Sequence, residues 1–238
     1  MMMKEVAQHA QDLYGLRVTN VQLNAMTLYE GELLEWNSRY NLTAIDEPKK
    51  IRVKHFLDSL TCLDVMQDVP MERVIDIGSG AGFPGLPLKI MNPAMHLTLV
   101  DSVGKKTRFC QHIVNKLELE SVDVIQDRAE GLGQQPDHRQ KYDWAIARAV
   151  AKLPVLVEYL LPLVRVGGAM LAMKGEGAHA ETHSAEHAIQ VLGGHLREIV
   201  CVTLPGIAED HHLVVVDKVA ATPLGYPRRV GIPTKRPL

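Results

Sequence analysis

The stretch Val74-Ile-Asp-Ile-Gly-Ser-Gly-Ala-Gly-Phe-Pro-Gly85, followed by the apolar run Leu97-Thr-Leu-Val-Asp101, decides the fold. An apolar strand carrying an acid and running into a glycine-rich turn opens the sheet of an α/β domain for a nucleotide-like ligand. Glycine lets the backbone approach the ligand closely, and the N–H groups of the next helix face it. Asp101 closes the second run, where a carboxylate is placed to accept hydrogen bonds from ribose hydroxyls. Asp76 points to the kind of ligand. A pyrophosphate gains nothing from a carboxylate beside the loop, whereas S-adenosylmethionine carries an ammonium and a sulfonium. The stretch therefore reads first as a methyl-donor site.

A dinucleotide is the competing reading. Counted from Gly78, the third glycine of G-x-G-x-x-G is replaced by Phe83. Counted from Gly80, the pattern is met by Gly80, Gly82 and Gly85, with Asp101 following 21 residues after Gly80. That spacing suits a nicotinamide-dependent oxidoreductase. Against it, the strand motif ends at Ile77, which leaves an overlong turn before Gly80. A glycine turn with a purely structural role is the third possibility.

Working outward, residues 4 to about 40 read as helices with Asn20 as a cap, and Ile51 to Val65 as one further helix. From Arg73, strands at 73–77, 96–101, 122–126, 142–147, 168–173, 197–203 and 212–219 alternate with helices at 84–91, 104–118, 152–164 and 180–192. Alternation of this kind predicts a mostly parallel sheet with right-handed crossovers. The last two strands lack a helix between them and are expected as an antiparallel hairpin at the edge. Three units follow: a helical extension over 1–68, a cofactor-binding α/β domain over 69–221, and a basic tail over 222–238 lying as irregular surface chain.

Ligands of an open parallel sheet lie beyond the carboxyl ends of its strands. That rule selects Gly78 to Phe83 after the first strand, Gly80 among them, Asp101 after the second, Asp127 to Glu130 after the third, and Arg148 after the fourth. Ala129-Glu130 offers an adenine ring a small side chain, a backbone donor and a carboxylate, unless Glu130 and Asp127 merely cap the following turn. Arg148 can hold a carboxylate or phosphate in bidentate fashion, or else pair with Asp76 or Asp127. No Asn-Pro-Pro-aromatic tetrapeptide suggests methylation of an exocyclic amine.

With 238 residues and a formal net charge of −2, the chain has no bulk positive charge for nucleic acid. Local patches must serve instead: Lys49, Lys50, Arg52 and Lys54 form one, and Arg228, Arg229, Lys235 and Arg236 the other. Cys62, Cys110 and Cys201 match neither a disulfide framework nor a zinc spacing. His179, His183 and His187 share a helix face without a further ligand, so no metal is expected. No run of 18 apolar residues occurs, and a soluble, cytoplasmic monomer without membrane contact is expected.

The chain resembles a known family, the bacterial 16S ribosomal RNA guanine-N7 methyltransferases, also called the RsmG or glucose-inhibited division protein B family. The segments that carry the resemblance run almost end to end: Trp36-Asn-Ser-Arg-Tyr-Asn-Leu-Thr43, His55-Phe-Leu-Asp-Ser-Leu60, Asp76 to Pro87, Asp101-Ser-Val-Gly-Lys-Lys106, Arg128-Ala-Glu130, Ala147-Arg-Ala149 and Tyr226 to Leu238. Val230 stands where the family commonly has Ala. The resemblance implies a class I S-adenosylmethionine-dependent methyltransferase, a Rossmann-like fold. It further implies that Gly78, Phe83, Ala129, Glu130 and Arg148 contact the cofactor. The expected partner is 16S rRNA in the small ribosomal subunit or its precursor. Guanine N7 carries a lone pair and no proton, so no residue is assigned as general base. A non-catalytic RNA-binding or assembly factor that retains a cofactor pocket is the alternative of a different class.

Overall fold

The computed structural model describes residues 2–238. Seven strands, β1 (Arg73–Ile77), β2 (His96–Val100), β3 (Val122–Ile125), β4 (Tyr142–Arg148), β5 (Val164–Lys174), β6 (Gly194–Val202) and β7 (His211–Lys218), form one sheet in the order β3-β2-β1-β4-β5-β7-β6. The pairs from β3 to β5 are parallel, and β7 runs antiparallel to both β5 and β6. The order reverses between β1 and β4, so the topological switch point lies at their carboxyl ends, where such sheets bind ligands. The central strands bury both faces, which explains why Val74–Ile77 and Leu97–Val100 are apolar except at Asp76 and Thr98, both of them buried.

Helix α1 (Met3–Tyr14) and helix α2 (Asn20–Tyr40) cover one face. Met26, Tyr29 and Leu33 of α2 share a single apolar core with Val74, Leu97, Leu99, Trp144 and Leu171 of the sheet. Thr19, not Asn20, caps α2: its hydroxyl accepts from Gln22 N while the Gln22 side chain accepts from Thr19 N at 2.8 Å. The other face is packed by the helices Leu153–Leu160 and Ala178–Val191. The first of these stops at Leu160 rather than near 164 because Pro162 cannot continue it, and β5 correspondingly begins at Val164.

Two segments differ from the sequence expectation. The single helix over Ile51–Val65 is broken into Pro48–Ile51, a π-helical turn Arg52–Leu57, Asp58–Leu60 and Cys62–Val65. Widened turns of this kind recur at functional sites, and this one carries His55. The tail is not loose surface chain. It holds a short helix, Ile232–Lys235, and is pinned by buried acids: Glu158, wholly buried, grips Arg228 at 2.6 Å, and Glu130 accepts from Gly231 N at 3.0 Å. Arg139 adds bonds to the carbonyls of Thr222, Pro223 and Tyr226. Sequence patterning sees a Pro- and Gly-rich stretch but not the distant carboxylates that fix it.

Candidate active site

The loop after β1 turns back over the end of β2, where Gly78 N and Ser79 N both donate to Val100 O. Gly78 has a φ of +68°, and a Cβ there would lie 2.5 Å from Val150 Cγ2. Only glycine lets the loop reach the β4 side so closely. Asp101 is buried and fixed by two backbone donors, Gly80 N on one oxygen at 3.0 Å and Val103 N on the other at 2.9 Å. Each oxygen keeps lone-pair capacity for a further hydroxyl.

Beyond these strand ends lies an open cleft of about 260 Å³, whose walls include Gly78, Asp101, Ala129, Glu130, Ala149 and Val150. The walls fit an adenosyl group: a ribose acceptor in Asp101, a small apolar shelf at Ala129, and a buried carboxylate in Glu130 held by Gly231 N. Four of the sequence-selected residues therefore meet here.

The other four lie elsewhere. Gly80 sits behind the cleft and serves it through its N–H bond to Asp101. Asp76 lies beneath the loop instead of on the cleft wall; it is wholly buried, and one oxygen accepts from Gly85 N at 2.9 Å. Gly85 has no room for a side chain, because a Cβ would come within 2.8 Å of that oxygen. The second Asp76 oxygen is buried without a hydrogen-bond partner among the described residues. Burial pushes the carboxyl from 3.8 up to about 7, against the Gly85 bond and the charge of Arg148. A cation bound above the loop would favour its ionised form. This orphaned oxygen is a further feature that suits a ligand with an ammonium group.

Phe83 is buried in a stack of rings, between Tyr29 at 5.0 Å and His55 at 4.7 Å. The Tyr29 hydroxyl donates to Ala81 O, so α2 and the glycine loop are locked together. Arg148 neither lines this cleft nor pairs with Asp76 or Asp127. Its guanidinium donates to Lys54 O at 2.7 Å, to Asp58 Oδ2 at 3.1 Å and to His55 Nδ1 at 3.0 Å, and it lies over the Phe83 ring. The contact with Arg148 makes His55 Nδ1 an acceptor, so Nε2 donates to the Thr43 hydroxyl at 3.1 Å. Burial and the facing Arg148 charge lower His55 from 6.5 to about 3, which keeps the imidazole neutral.

Arg148 belongs to a second cavity of about 470 Å³, which shares Ala149 with the first and is lined by Lys54, His55, Asp58, Lys174 and His211 among others. His55, Asp58 and His211 carry no site role in the sequence reading. Two signals point to His55 and Asp58: they lie three residues apart, on one helix face inside an apolar run, and within a segment that carries the family resemblance.

The basic clusters divide. Arg52 pairs with Glu30 at 2.7 Å, Lys50 with Glu47 at 2.9 Å, Lys54 with Glu209 at 3.4 Å and Arg228 with Glu158. Lys49, Arg229, Lys235 and Arg236 are exposed. No helix among the described residues is long and apolar enough to cross a membrane.

The fold is that of known methyltransferases. The YcgJ protein from Bacillus subtilis superposes with a TM-score of 0.55 at 14% identity, over 70% of this chain and all of that one. A geranyl diphosphate methyltransferase solved in complex with SAM gives 0.54 at 13% identity, over 68% of this chain and 84% of that one. Sequence relatives are far nearer. The chain is 52% identical over 225 residues to the ribosomal RNA small subunit methyltransferase G of Roseiflexus castenholzii, covering 94% of this chain and 95% of the relative. It is 44% identical over 238 residues to the protein of the same name from Alkaliphilus oremlandii, covering all of both. The model of the GidB family, described as rRNA small subunit methyltransferase G, matches residues 22–214, and to that family the chain belongs.

Proposed function

We propose that this chain transfers the methyl group of S-adenosylmethionine to N7 of a guanine in small-subunit ribosomal RNA. The observation that carries this reading is similarity along nearly the whole length, at 52% identity, to a ribosomal RNA small subunit methyltransferase. The cleft at the switch point, with Asp101 already oriented, is the physical counterpart. When bound, the cofactor supplies an electrophilic methyl on sulfur.

The chain's own residues would do the rest. Asp101 accepts from the ribose hydroxyls, Ala129 and Glu130 hold the adenine edge, and Gly78 and Gly80 let the backbone close on the ligand. Asp76 balances its ammonium from beneath the loop. Arg148 lines the second cavity with the Phe83 ring buried behind it, which supports a role for Arg148 on the RNA side of the reaction. N7 has no proton to lose, so the work is in-line placement and exclusion of water. Exposed Lys49, Arg229, Lys235 and Arg236 are suited to phosphate contacts, while Lys50, Arg52, Lys54 and Arg228 are engaged in ion pairs. We place the protein in the cytoplasm, as a monomer acting on 16S rRNA in the subunit or its precursor.

The test is mass mapping of small-subunit rRNA from cells with and without the gene, with purified protein added back together with S-adenosylmethionine. One guanosine should gain a methyl group at N7. Binding of cofactor and RNA without transfer to any subunit preparation would favour the assembly-factor reading. Saturable NAD binding with no response to the methyl donor would overturn both.

A further inference from the structure

The second cavity contains one buried carboxylate with a specific presentation. Asp58 lies on the short helical turn after the π-helical segment, and its two oxygens are held separately. Oδ2 accepts from Arg148 at 3.1 Å, and Oδ1 meets His211 Nδ1 at 3.2 Å. An ionised carboxylate has about four acceptor positions, so each oxygen retains one. The Arg148 guanidinium is in turn fixed by Lys54 O and His55, which sets the plane in which the carboxylate is held. A fixed pair of parallel acceptors is complementary to a pair of adjacent donors.

Among the four RNA bases only guanine offers two adjacent donors, N1–H and the exocyclic amine. Adenine and cytosine place one donor beside an acceptor, and uracil sets its single donor between two acceptors. Resting on the function proposed above, we infer that this cavity receives the target guanosine and that Asp58 reads its Watson–Crick edge, accepting from N1–H and the exocyclic amine. N7 lies on the opposite edge of the purine and stays free. An arginine paired with O6 and N7, the common way of reading guanine, would cap the nucleophile; here Arg148 is engaged with Asp58, His55 and a carbonyl. Methylation at N7 makes N1–H more acidic, so its bond to the carboxylate strengthens toward the product. Ala149, the residue common to both cavities, has no side chain large enough to separate the two ligands.

The probes are guanosine, inosine and adenosine monophosphates, observed by saturation-transfer NMR with S-adenosylhomocysteine saturating the first cleft. Inosine keeps N1–H and lacks the exocyclic amine. Guanosine monophosphate should bind at least about tenfold better than the other two, the discrimination of a good bidentate pair. Asp58→Asn should erase that preference while S-adenosylhomocysteine affinity stays within about twofold. His211→Ala, which leaves the Arg148 contact in place, should weaken the preference and keeps the test alive if the first variant unfolds. If wild-type protein methylates small subunits yet prefers none of the three nucleotides, the assignment of Asp58 falls and the proposed function stands. If guanosine monophosphate is preferred but no rRNA is methylated, the pocket stands and the function falls.

Discussion

Two cavities meet at Ala149 and are assembled in opposite ways. The first cleft is built from the ends of β1 to β4, whose turns follow one another along the chain at Gly78, Asp101, Ala129 and Val150. The second cavity draws Lys54 and Asp58 from the amino-terminal helical segment, Arg148 from β4, Lys174 from β5 and His211 from β7. The first follows from sheet topology, which puts every βα turn on one edge. The second exists only because the amino-terminal segment docks against the sheet. The cleft is therefore expected to tolerate changes at Asp58 and Arg148, and the second cavity to tolerate changes at Asp101.

Truncation after Pro223 should have the largest effect, on the stability of the whole fold and on the cleft. It strips Arg228 from Glu158, and an uncompensated buried carboxylate costs about 3–5 kcal/mol. It also removes the Gly231 N–H from Glu130. Thermal unfolding should move to clearly lower temperature, and calorimetry should show weaker binding of S-adenosylhomocysteine. Unchanged stability and cofactor affinity would mean that the tail is a separable arm.

Arg148→Ala should cut methyl transfer by about 100-fold, the scale of a misplaced reactant, with cofactor affinity within about twofold. A parallel loss of cofactor binding would put Arg148 in the first cleft after all. Asp101→Ala should do the reverse, removing on the order of 1–3 kcal/mol of cofactor binding with RNA affinity preserved. Calorimetric titration and a filter-binding assay separate the two outcomes.

A subtler contrast lies in pH. Asp76, beneath the first cleft, has its folded value raised from 3.8 to about 7, so the folded state holds a proton that the unfolded state releases. Its contribution to stability is lost as pH rises through that window. His55, in the second cavity, has its folded value lowered from 6.5 to about 3, so the unfolded state takes up the proton. Its contribution makes stability rise with pH between those values, and in the native protein the two slopes oppose each other. Urea midpoints of Asp76→Asn should rise more steeply from pH 4 to 6.5 than wild type, and those of His55→Gln should fall. Parallel curves for both variants would show that neither group titrates as assigned. The smallest effect belongs to the exposed cations. Changing Arg229, Lys235 and Arg236 together to Gln should flatten the slope of log RNA affinity against log salt by about 0.7 for each phosphate left without its cation. An unchanged slope would identify them as solvated charge.

The fold was legible because its signals are local. Apolar runs of strand length, the glycine turn and the regular alternation after Arg73 each need only neighbouring residues to be read. They located all seven strands, the edge hairpin and four of the residues that line the first cleft. Local signals failed where a partner far along the chain decides the conformation. The break in the helix at Arg52–Leu57, the partner of Arg148 ninety residues away in Asp58, and the pinning of the tail by Glu158 and Glu130 leave no periodic trace. A carboxylate looks the same in sequence whether it caps a turn, lies half-satisfied under a loop like Asp76, or faces a cavity like Asp58. Burial and the placement of opposing charge separate those roles. Both are properties of the packed chain, since the energy of an ion depends on the water it has lost and the partner it has gained.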